Sequence, residues 1–464
     1  MRRSIAEKRA SEGGLVQGLG LLQSIALNMS NMVGVGPFIT IPLIITAMGG
    51  PQCMLGWLLG AVLAMCDGLI WSELSAAMPG SGGTYVYLRE AFRGTRLGGI
   101  LPFLFIWQFI LSGPLEIASG YIGFAQYAGY LWRGMGAPGA HLISVAVGVV
   151  VIILLYRRIT AIGRLTVALW VGVLLTVLCV IVSGLLNFHP QRVLDFPPGA
   201  FNFSLGFAAG LGSATLIAMY DYMGYFDICY VAEEVRNPSR VIPRSIIWSV
   251  LGVAALYLVM NASIIAVVPW REAMNSKFIG SEFMERLYGP RAASALTILI
   301  LWTAFASVFA LLLGYSRIPY AAALDGNFFQ PFARLHPVGR FPYVSVLAMG
   351  GLAIAFSFFA LDEVISALLT SRILIQFMGQ IVALHRLRRR SDIAMPFRMW
   401  LYPLPAAIAF FGWLYIFVTS GWRFAVFGIL TLAAGVAVYF IWTPPGDRTG
   451  SGTAAPSARG SDAA

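Results

Sequence analysis

Residues 15–48 contain no charged side chain, and the sequence GVGP interrupts the middle of this stretch at positions 34–37. The stretch is long enough to cross a membrane, because a span needs about 20 apolar residues. Glycine lowers helix stability, while proline removes a backbone hydrogen bond and clashes with the preceding turn. Inside a bilayer, the backbone groups that such a break frees must find other partners. The interruption therefore predicts a broken helix that lines an internal cavity.

The rest of the chain is equally apolar. Of its 464 residues, 58% are hydrophobic and 11% are charged, whereas about a quarter are charged in soluble domains. This composition predicts an all-α polytopic membrane protein, and the first span is too long to be a cleavable signal peptide. The twelve candidate transmembrane spans cover residues 18–48, 56–77, 97–131, 141–156, 165–188, 203–231, 246–268, 292–315, 344–360, 364–384, 401–419 and 424–442.

The basic residues that give the chain its net charge of +11 are distributed unevenly among the predicted loops. Arginines precede span 1 and follow spans 2, 4, 6, 8 and 10, whereas the loops after spans 3 and 5 carry one basic residue each, Arg133 and Arg192. This positive-inside distribution predicts that both termini are cytoplasmic and that the span count is even. The predicted partner is the lipid bilayer of the cell membrane, and no nucleic acid partner is expected.

A second interruption occurs in span 6, where the sequence YDYMGYFD at 220–227 places two carboxylates and a glycine in an apolar segment. It lies five spans after the first break. Corresponding breaks in two halves of a chain are typical of secondary transporters built from inverted repeats. For each break taken alone, a kinked structural helix is the alternative.

Three longer motifs carry a family resemblance: VGVGPF at 33–38, ELSAAMPGSGGTYVY at 73–87 and YVAEEVRNPSRVIP at 230–243. In these segments, and in ALDG at 323–326, the chain resembles the amino acid–polyamine–organocation superfamily of secondary transporters. The resemblance implies discontinuous helices 1 and 6 and alternating access around them.

The same resemblance implies an inverted five-plus-five repeat core followed by two trailing helices. The first repeat would cover residues 15–188, the second 196–390, and the trailing spans 397–443. Both ends of the chain, 1–14 and 444–464, are polar or rich in small residues and are predicted to be disordered cytoplasmic tails.

In folds of this kind, amides at the start of the second half of helix 1 bind the substrate carboxylate. Carbonyls at the end of the first half of helix 6 bind the substrate ammonium. Pro37 has no N–H to contribute, and Tyr220 aligns with an aromatic residue that covers the substrate in relatives. The residues implied for substrate binding are Val33, Gly34, Val35, Gly36, Phe38, Tyr220, Asp221, Tyr222, Gly224 and Glu116.

Asp221 departs from the resemblance, because amino acid exchangers of the superfamily usually have a small neutral residue there. A carboxylate inside a bilayer needs a partner, a cation or a proton. Three interpretations follow: Asp221 binds a cationic substrate, carries the coupling proton, or pairs structurally with an interior hydroxyl or arginine.

Glu116 is a lone acid in the middle of span 3, in a segment similar to that of plant-type polyamine uptake relatives. Two acids facing one cavity would favour a dication over a neutral amino acid. The alternative for Glu116 is a hydrogen-bonded structural acid. A polyamine would leave the helix 1 amides without an anion, so amino acids remain the first prediction. Asp221 and Glu116 favour cationic amino acids within that class, and polyamines are the alternative.

The predicted gating and coupling residues are Tyr220, Asp221, Glu116 and Glu234. Proton-coupled relatives carry a lysine in span 5 near Trp170, and span 5 has no charge here. A carboxylate would then carry the proton, or the protein would exchange substrates. A sodium site with Ser307 or Thr303 is a further alternative.

Other charged residues also have predicted partners or roles. Arg372 is expected either to pair with an interior acid or to lie near the membrane edge. Glu234, with Glu233, is expected to pair with Arg240, Arg244 or another arginine of the inner loops and to form an inner gate. Asp67 is expected to be structural.

Other function classes fit the sequence less well. No repeated filter sequence indicates an ion channel, which is kept as a distant alternative, and no phosphate-binding loop indicates ATP-driven transport. The four histidines form no catalytic or metal pattern, and the four cysteines form no CxxC pair. We expect a permease, not an enzyme, with no cofactor or metal and with monomer or homo-oligomer undecided.

Overall fold

The protein is described here from a computed structural model. The residues that the structure describes are 15, 17–157, 159–359 and 361–442. The predicted tails, 1–14 and 444–464, lie outside them. The described residues are organised as helices and contain no β-strand; one isolated bridge pairs Leu19 with Val235. The predicted all-α class is confirmed.

The first half of the chain begins with a helix that is interrupted after about three turns. The second piece ends at Gly49, whose positive φ of 73° suits a helix C-terminus. The helices are α1 (Leu21–Met32), α2 (Gly36–Met48), α3 (Met54–Ala77), α4 (Thr84–Ala91), α5 (Leu97–Leu131), α6 (Ala137–Leu155), α7 (Ile159–Leu186) and α8 (Pro190–Val193).

The second half begins at a capped helix, because the Ser204 side chain accepts a hydrogen bond from the Phe207 amide at 3.1 Å. A π-helical segment, Ile373–Met378, follows α17 directly. The helices are α9 (Leu205–Tyr222), α10 (Asp227–Tyr230), α11 (Pro238–Val267), α12 (Trp270–Ala273), α13 (Ile279–Tyr288), α14 (Pro290–Tyr315), α15 (Arg317–Leu324), α16 (Tyr343–Phe356), α17 (Leu361–Arg372), α18 (Gly379–Arg388), α19 (Leu404–Thr419) and α20 (Trp422–Trp442).

Several of these helices are long and apolar enough to cross a membrane, which makes this a multi-pass membrane protein. Among the described residues, seven segments reach that length, and α1 with α2 forms an eighth, bent by 45°. Helices α16 and α19 are apolar but shorter. Predicted span 6 breaks after Tyr222, and predicted span 10 is divided by the π-helical segment. The seven long segments are Pro51–Ala77, Leu97–Leu131, Ala137–Leu155, Ala161–Leu186, Pro238–Val267, Pro290–Leu324 and Trp422–Ile441.

The first break occurs where the sequence predicts it, at residues 33–35 between α1 and α2. Pro37 is the second residue of α2, where its missing N–H has no intrahelical partner to lose. A Cβ atom on Gly34 would lie 2.7 Å from the Ser307 side chain of α14. Glycine is therefore required there because α14 packs directly against the break.

The second break separates α9 from the single turn of α10. Met223 is extended, and Gly224 has a φ of 116°, which L side chains rarely adopt. A Cβ atom on Gly224 would lie 2.4 Å from the Asn31 side chain of α1. The two breaks are thus in direct contact with each other.

The surrounding helices bury both breaks. Helix α1 contacts α7, α11 and α14, while α9 contacts α2 and α3. Helix α5 runs across this group and contacts α14, α16 and α17. The interior therefore contains both breaks together with the middle of α5, which carries Glu116.

Candidate functional site

A small cavity lies between the two broken helices. Its volume is about 20 Å³, which is close to the space of a single water molecule. This space is too small for an amino acid, so a molecule of that size would fit only after the surrounding helices move apart. The lining residues are Asn31, Met32, Gly34, Val35, Gly36, Glu116, Gly120, Tyr220, Asp221, Met223, Ser307 and Leu311.

Six of the ten predicted substrate-binding residues line this cavity: Gly34, Val35, Gly36, Tyr220, Asp221 and Glu116. The other four are buried beside it without being part of its wall. Phe38 packs edge-on against Tyr127, and Tyr222 packs against Trp57. Val33 lies within the break, while Gly224 contacts Asn31. Their roles in binding stay predictions.

Hydroxyl groups from neighbouring helices bind the carbonyls that the first break frees. Ser307 donates to the Asn31 carbonyl at 3.2 Å, and Thr303 donates to the Gly34 carbonyl at 3.4 Å. Tyr257 donates to the Met32 carbonyl at 2.5 Å and lies 3.2 Å from the Asp221 carbonyl at the other break. One tyrosine hydroxyl thus joins backbone groups of both broken helices.

The amides of Gly36 and Phe38, which the sequence predicts to bind the substrate carboxylate, differ in their hydrogen bonding. The Phe38 amide donates to the Val35 carbonyl at 3.0 Å, within the first turn. The Gly36 amide belongs to the first residue of α2, and such amides have no acceptor within their own helix. Gly36 therefore remains the better donor for a ligand, at the positive end of the α2 dipole.

Asp221 is 2% exposed and has two dissimilar carboxylate oxygens. Its Oδ2 accepts a hydrogen bond from the Thr40 hydroxyl at 2.5 Å. Its Oδ1 has no hydrogen-bond partner among the described residues. This oxygen faces Gly36 so closely that a Cβ atom there would lie 2.2 Å away. A buried oxygen without a donor beside a helix N-terminus marks a place where a cationic group or a proton would bind.

Glu116, by contrast, has a charged partner. Its carboxylate forms an ion pair with Arg372 of α17 and accepts a hydrogen bond from the Tyr315 hydroxyl at 2.5 Å. Arg372 also donates to the Ser112 hydroxyl at 3.0 Å and lies over the Phe109 ring. The prediction that Arg372 pairs with an interior acid is confirmed, and the membrane-edge alternative is wrong.

Asp227 adds a third interior acid to this region. Its Oδ2 accepts from the Asn31 amide at 2.7 Å, so it holds α10 against α1. Its Oδ1 and Nη2 of Arg372 are both buried without a hydrogen-bond partner in the described part of the chain. Glu116, Asp221 and Asp227 are thus buried acids near the breaks, and Arg372 is the arginine that pairs with Glu116.

Away from the cavity, a second buried ion pair joins Glu234 to Arg317 at 2.7 Å, with each side chain 1% exposed. The partner is thus the arginine after span 8, one of the inner-loop arginines that the prediction allowed, and not Arg240 or Arg244. The Glu234 carbonyl also accepts from the amides of Gly18 and Leu19, at 2.9 and 3.0 Å. These contacts connect the segment before α1 to the end of span 6.

Asp67 has the structural surroundings that the sequence predicts. Its carboxylate accepts hydrogen bonds from Trp71 at 3.0 Å and Tyr225 at 2.6 Å, with Trp413 of α19 at 3.3 Å. Tyr225 belongs to the second break, so Asp67 connects that break to α19. Among the described residues, no group of three or more His, Cys, Asp or Glu side chains is suited to hold a metal ion.

Several residues of the site were not identified from the sequence. Thr40, Tyr257 and Tyr315 each bind one of the interior acids or its backbone, yet a single hydroxyl in an apolar span is unremarkable. Asp227 was visible as an intramembrane acid, and such residues are functional candidates by default. Only the fold shows that Asp227 lies beside Asn31, because the two residues are 196 positions apart in the sequence.

Two broken helices that face each other around a buried charged cavity, within a bundle of membrane-length helices, define a membrane transporter. The predicted relationship is confirmed, because the chain belongs to the amino acid permease family, whose family model matches residues 19–451. Membership agrees with a transporter and not an enzyme.

Three relatives illustrate the range of the family. The chain is 24% identical to the branched-chain amino acid permease BcaP of Bacillus subtilis, with 95% of this chain and 97% of that protein covered. It is 25% identical to the serine/threonine exchanger SteT of the same organism, with 92% and 97% covered. It is 26% identical to the human cystine/glutamate transporter, with 84% and 77% covered.

Proposed function

We propose that this protein is a secondary active transporter that moves amino acids across the cell membrane by alternating access around its two broken helices. Both termini would be cytoplasmic, as the distribution of arginines predicts. Twelve spans would form the five-plus-five inverted repeat and two trailing helices. Family membership and the contact between the breaks support this architecture.

The observation that carries the proposal is the pairing of Asp221 with Gly36 at the cavity wall. The unpartnered Oδ1 of Asp221 would accept the substrate ammonium, and the Gly36 amide would donate to the substrate carboxylate. These two groups are neighbours in every α-amino acid, as Asp221 and Gly36 are neighbours here. A carboxylate beside a helix N-terminus therefore complements a zwitterion.

The charge balance favours one substrate ammonium over two. Glu116 lines the cavity but is neutralised by Arg372, which leaves Asp221 as the cavity-lining acid without an ion pair in the described residues. A diamine would need Arg372 to leave Glu116, and its second ammonium would otherwise stay uncompensated. Amino acids are therefore the proposed substrates, cationic ones remain a narrower variant of the proposal, and polyamines are the alternative.

Uptake into proteoliposomes tests the substrate class. The full-length protein would be assayed with a labelled amino acid mixture and competed separately by leucine, serine, lysine and putrescine. We expect saturable uptake, which a channel would not give, and strong competition by at least one amino acid. Competition by putrescine but by none of the amino acids would contradict the proposal and favour the polyamine alternative.

Two modes of energy coupling remain within the proposal, proton symport and substrate exchange. Asp221 and Asp227 are buried acids beside the breaks, without an ion pair among the described residues, and either could carry a proton. The same vesicles distinguish the modes, because symport needs only an imposed pH gradient and exchange needs substrate inside. Uptake that responds to a sodium gradient alone would contradict both modes.

A further inference from the structure

A second and larger cavity opens on the outer surface of the bundle, between α5, α16, α20 and the segment after α15. Its volume is about 550 Å³, within the roughly 300–1,000 Å³ of small-molecule sites. Phe103, Trp107 and Ile110 of α5 form one wall, and Leu352 of α16 contributes to another. We call this cavity the outer groove. It is separate from the cavity at the helix breaks.

The walls of the outer groove are held in place by the helices behind them. The Trp107 indole N–H donates to the Thr431 carbonyl of α20 at 2.9 Å, and Phe103 packs against Tyr439. The groove is open to the surroundings on its other side, where Leu352 is 37% exposed. An apolar site with fixed walls and an open side suits a flexible apolar chain.

The length of the outer groove matches one leaflet of a bilayer. Its lining on α5 runs from Phe103 to Leu111, a distance of about 12 Å at 1.5 Å per residue. Half of a hydrocarbon core is about 15 Å thick. Asn327 and Phe329 also line the groove, and they belong to the loop after span 8, which is rich in arginine. The groove therefore extends inward from the basic end of the bundle.

An exposed arginine, Arg96, directly precedes α5 and has a helical backbone conformation. Arg96 precedes Phe103 by seven residues and Ile110 by fourteen, and residues two turns apart share one face of a helix. It is exposed and forms no ion pair within the described part of the chain. Asp325, two residues before the groove-lining Asn327, forms an ion pair with Arg89. The mouth thus presents an uncompensated cation about 10 Å from the apolar wall.

We propose that the outer groove binds an anionic phospholipid from the leaflet at the basic end of the bundle. One acyl chain fills the space between α5, α16 and α20, and the phosphate binds the guanidinium of Arg96. Apolar lining supplies the affinity for the chain, and the charge of Arg96 supplies the preference for an anionic headgroup.

Native mass spectrometry of the full-length protein tests the headgroup part. Phosphatidylglycerol and phosphatidylcholine with the same acyl chains would be titrated against the wild type, Arg96→Gln and Arg157→Gln. Arg157 is a matched control, because it is also exposed at the basic end of the bundle. We expect Arg96→Gln to weaken phosphatidylglycerol binding about fivefold and Arg157→Gln to leave it unchanged. Equal binding by the wild type and Arg96→Gln would overturn the assignment.

Filling the groove tests the acyl-chain part. Ile110→Trp places a bulky ring in the outer groove, whereas Val150→Trp adds the same ring at an exposed position of α6 that does not line it. We expect only Ile110→Trp to remove tight phosphatidylglycerol binding.

Fluorescence provides a second measurement if the substituted chain folds poorly. Phosphatidylglycerol with brominated acyl chains should quench wild-type emission more than that of Trp107→Phe, because Trp107 lines the groove. Identical quenching of the two proteins, or tight binding retained by Ile110→Trp, would show that the groove does not hold the chain.

Discussion

The two ends of the cavity at the helix breaks bury an acid in opposite ways. At the α5 end, the Glu116 carboxylate forms an ion pair with Arg372 and accepts a hydrogen bond from the Tyr315 hydroxyl. At the α2 end, Asp221 has one threonine hydroxyl and an oxygen with no partner among the described residues. The protein supplies its own cation to one acid and leaves the other for a ligand or a proton. An intramembrane acid is therefore available to bind a ligand when its neighbours do not supply a cation or enough hydrogen-bond donors.

The largest expected effect comes from removing Arg372, the cation that pairs with Glu116. Arg372→Gln would leave Glu116 buried without its cation, which costs about 3–5 kcal/mol when one partner of a buried pair is removed. We expect a clearly lower melting temperature in detergent. The double variant Glu116→Gln with Arg372→Gln should recover most of the loss, since neither charge is then unpaired. A single variant that melts like the wild type would contradict the described pairing.

The next largest effect is expected at Asp221, which has no ion pair among the described residues. Asp221→Asn keeps the shape of the side chain and removes its charge, so the substrate ammonium loses a charge-assisted bond. We expect kcat/KM for uptake to fall about 10–150-fold, with a smaller change in melting temperature than for Arg372→Gln. Asp392→Asn is the control, because its carboxylate pairs with Arg390 on the surface, where it is 61% exposed. Uptake that survives Asp221→Asn would rule out the proposed ammonium site.

A smaller effect is expected from the hydroxyl that holds Asp221. Thr40→Val removes the 2.5 Å donor without changing the volume greatly. Without this hydrogen bond, the Asp221 carboxylate would lose its orientation towards Gly36. We expect uptake to fall about 5–30-fold. Thr40→Ser keeps the hydroxyl and should restore most of the activity. If serine and valine behave alike, the hydrogen bond is not the cause.

The smallest effect concerns Tyr220, the predicted gate. Its hydroxyl lies 2.8 Å from the Ser119 hydroxyl of α5, so it connects the two ends of the cavity. Tyr220→Phe keeps the ring over the cavity and loses only this bond, and we expect a 2–10-fold decrease in uptake, at about 0.5–1.5 kcal/mol per bond. Ser119→Ala also removes the hydrogen bond from Ser119 to the Glu116 carbonyl, so we expect it to lose at least as much. The double variant should lose little more than Ser119→Ala alone. Additive losses would show that the two hydroxyls act separately.

The sequence predicted the helix breaks well because their causes are local. Glycine and proline at 34–37 determine the first break, and the positive φ of Gly224 requires glycine at the second. Helix α5 has the same bounds as predicted span 3, residues 97–131. The short helices α16 and α19 and the π-helical division of span 10 were not foreseen, because they depend on packing.

The charge balance of the site could not be predicted in the same way. Glu116 and Arg372 are 256 residues apart, and Thr40 and Asp221 are 181 residues apart. From sequence, Glu116 and Asp221 were two similar acids that together favoured a dication. Only the fold brings Arg372 to one of them and a lone hydroxyl to the other, and this difference now favours a single substrate ammonium.

The Tyr257 hydroxyl, which contacts a carbonyl of each broken helix, has a consequence for movement. A phenol has one hydrogen to donate, so it can bind the Met32 carbonyl fully or the Asp221 carbonyl fully, but not both. At 2.5 and 3.2 Å it favours the first. Separating the breaks would therefore cost at most one of the hydrogen bonds of Tyr257, worth about 0.5–1.5 kcal/mol. The side-chain bonds from Asn31 to Asp227 and from Thr40 to Asp221 join the same two helices, so they and not Tyr257 account for most of the hydrogen bonding that a movement of the breaks would have to replace.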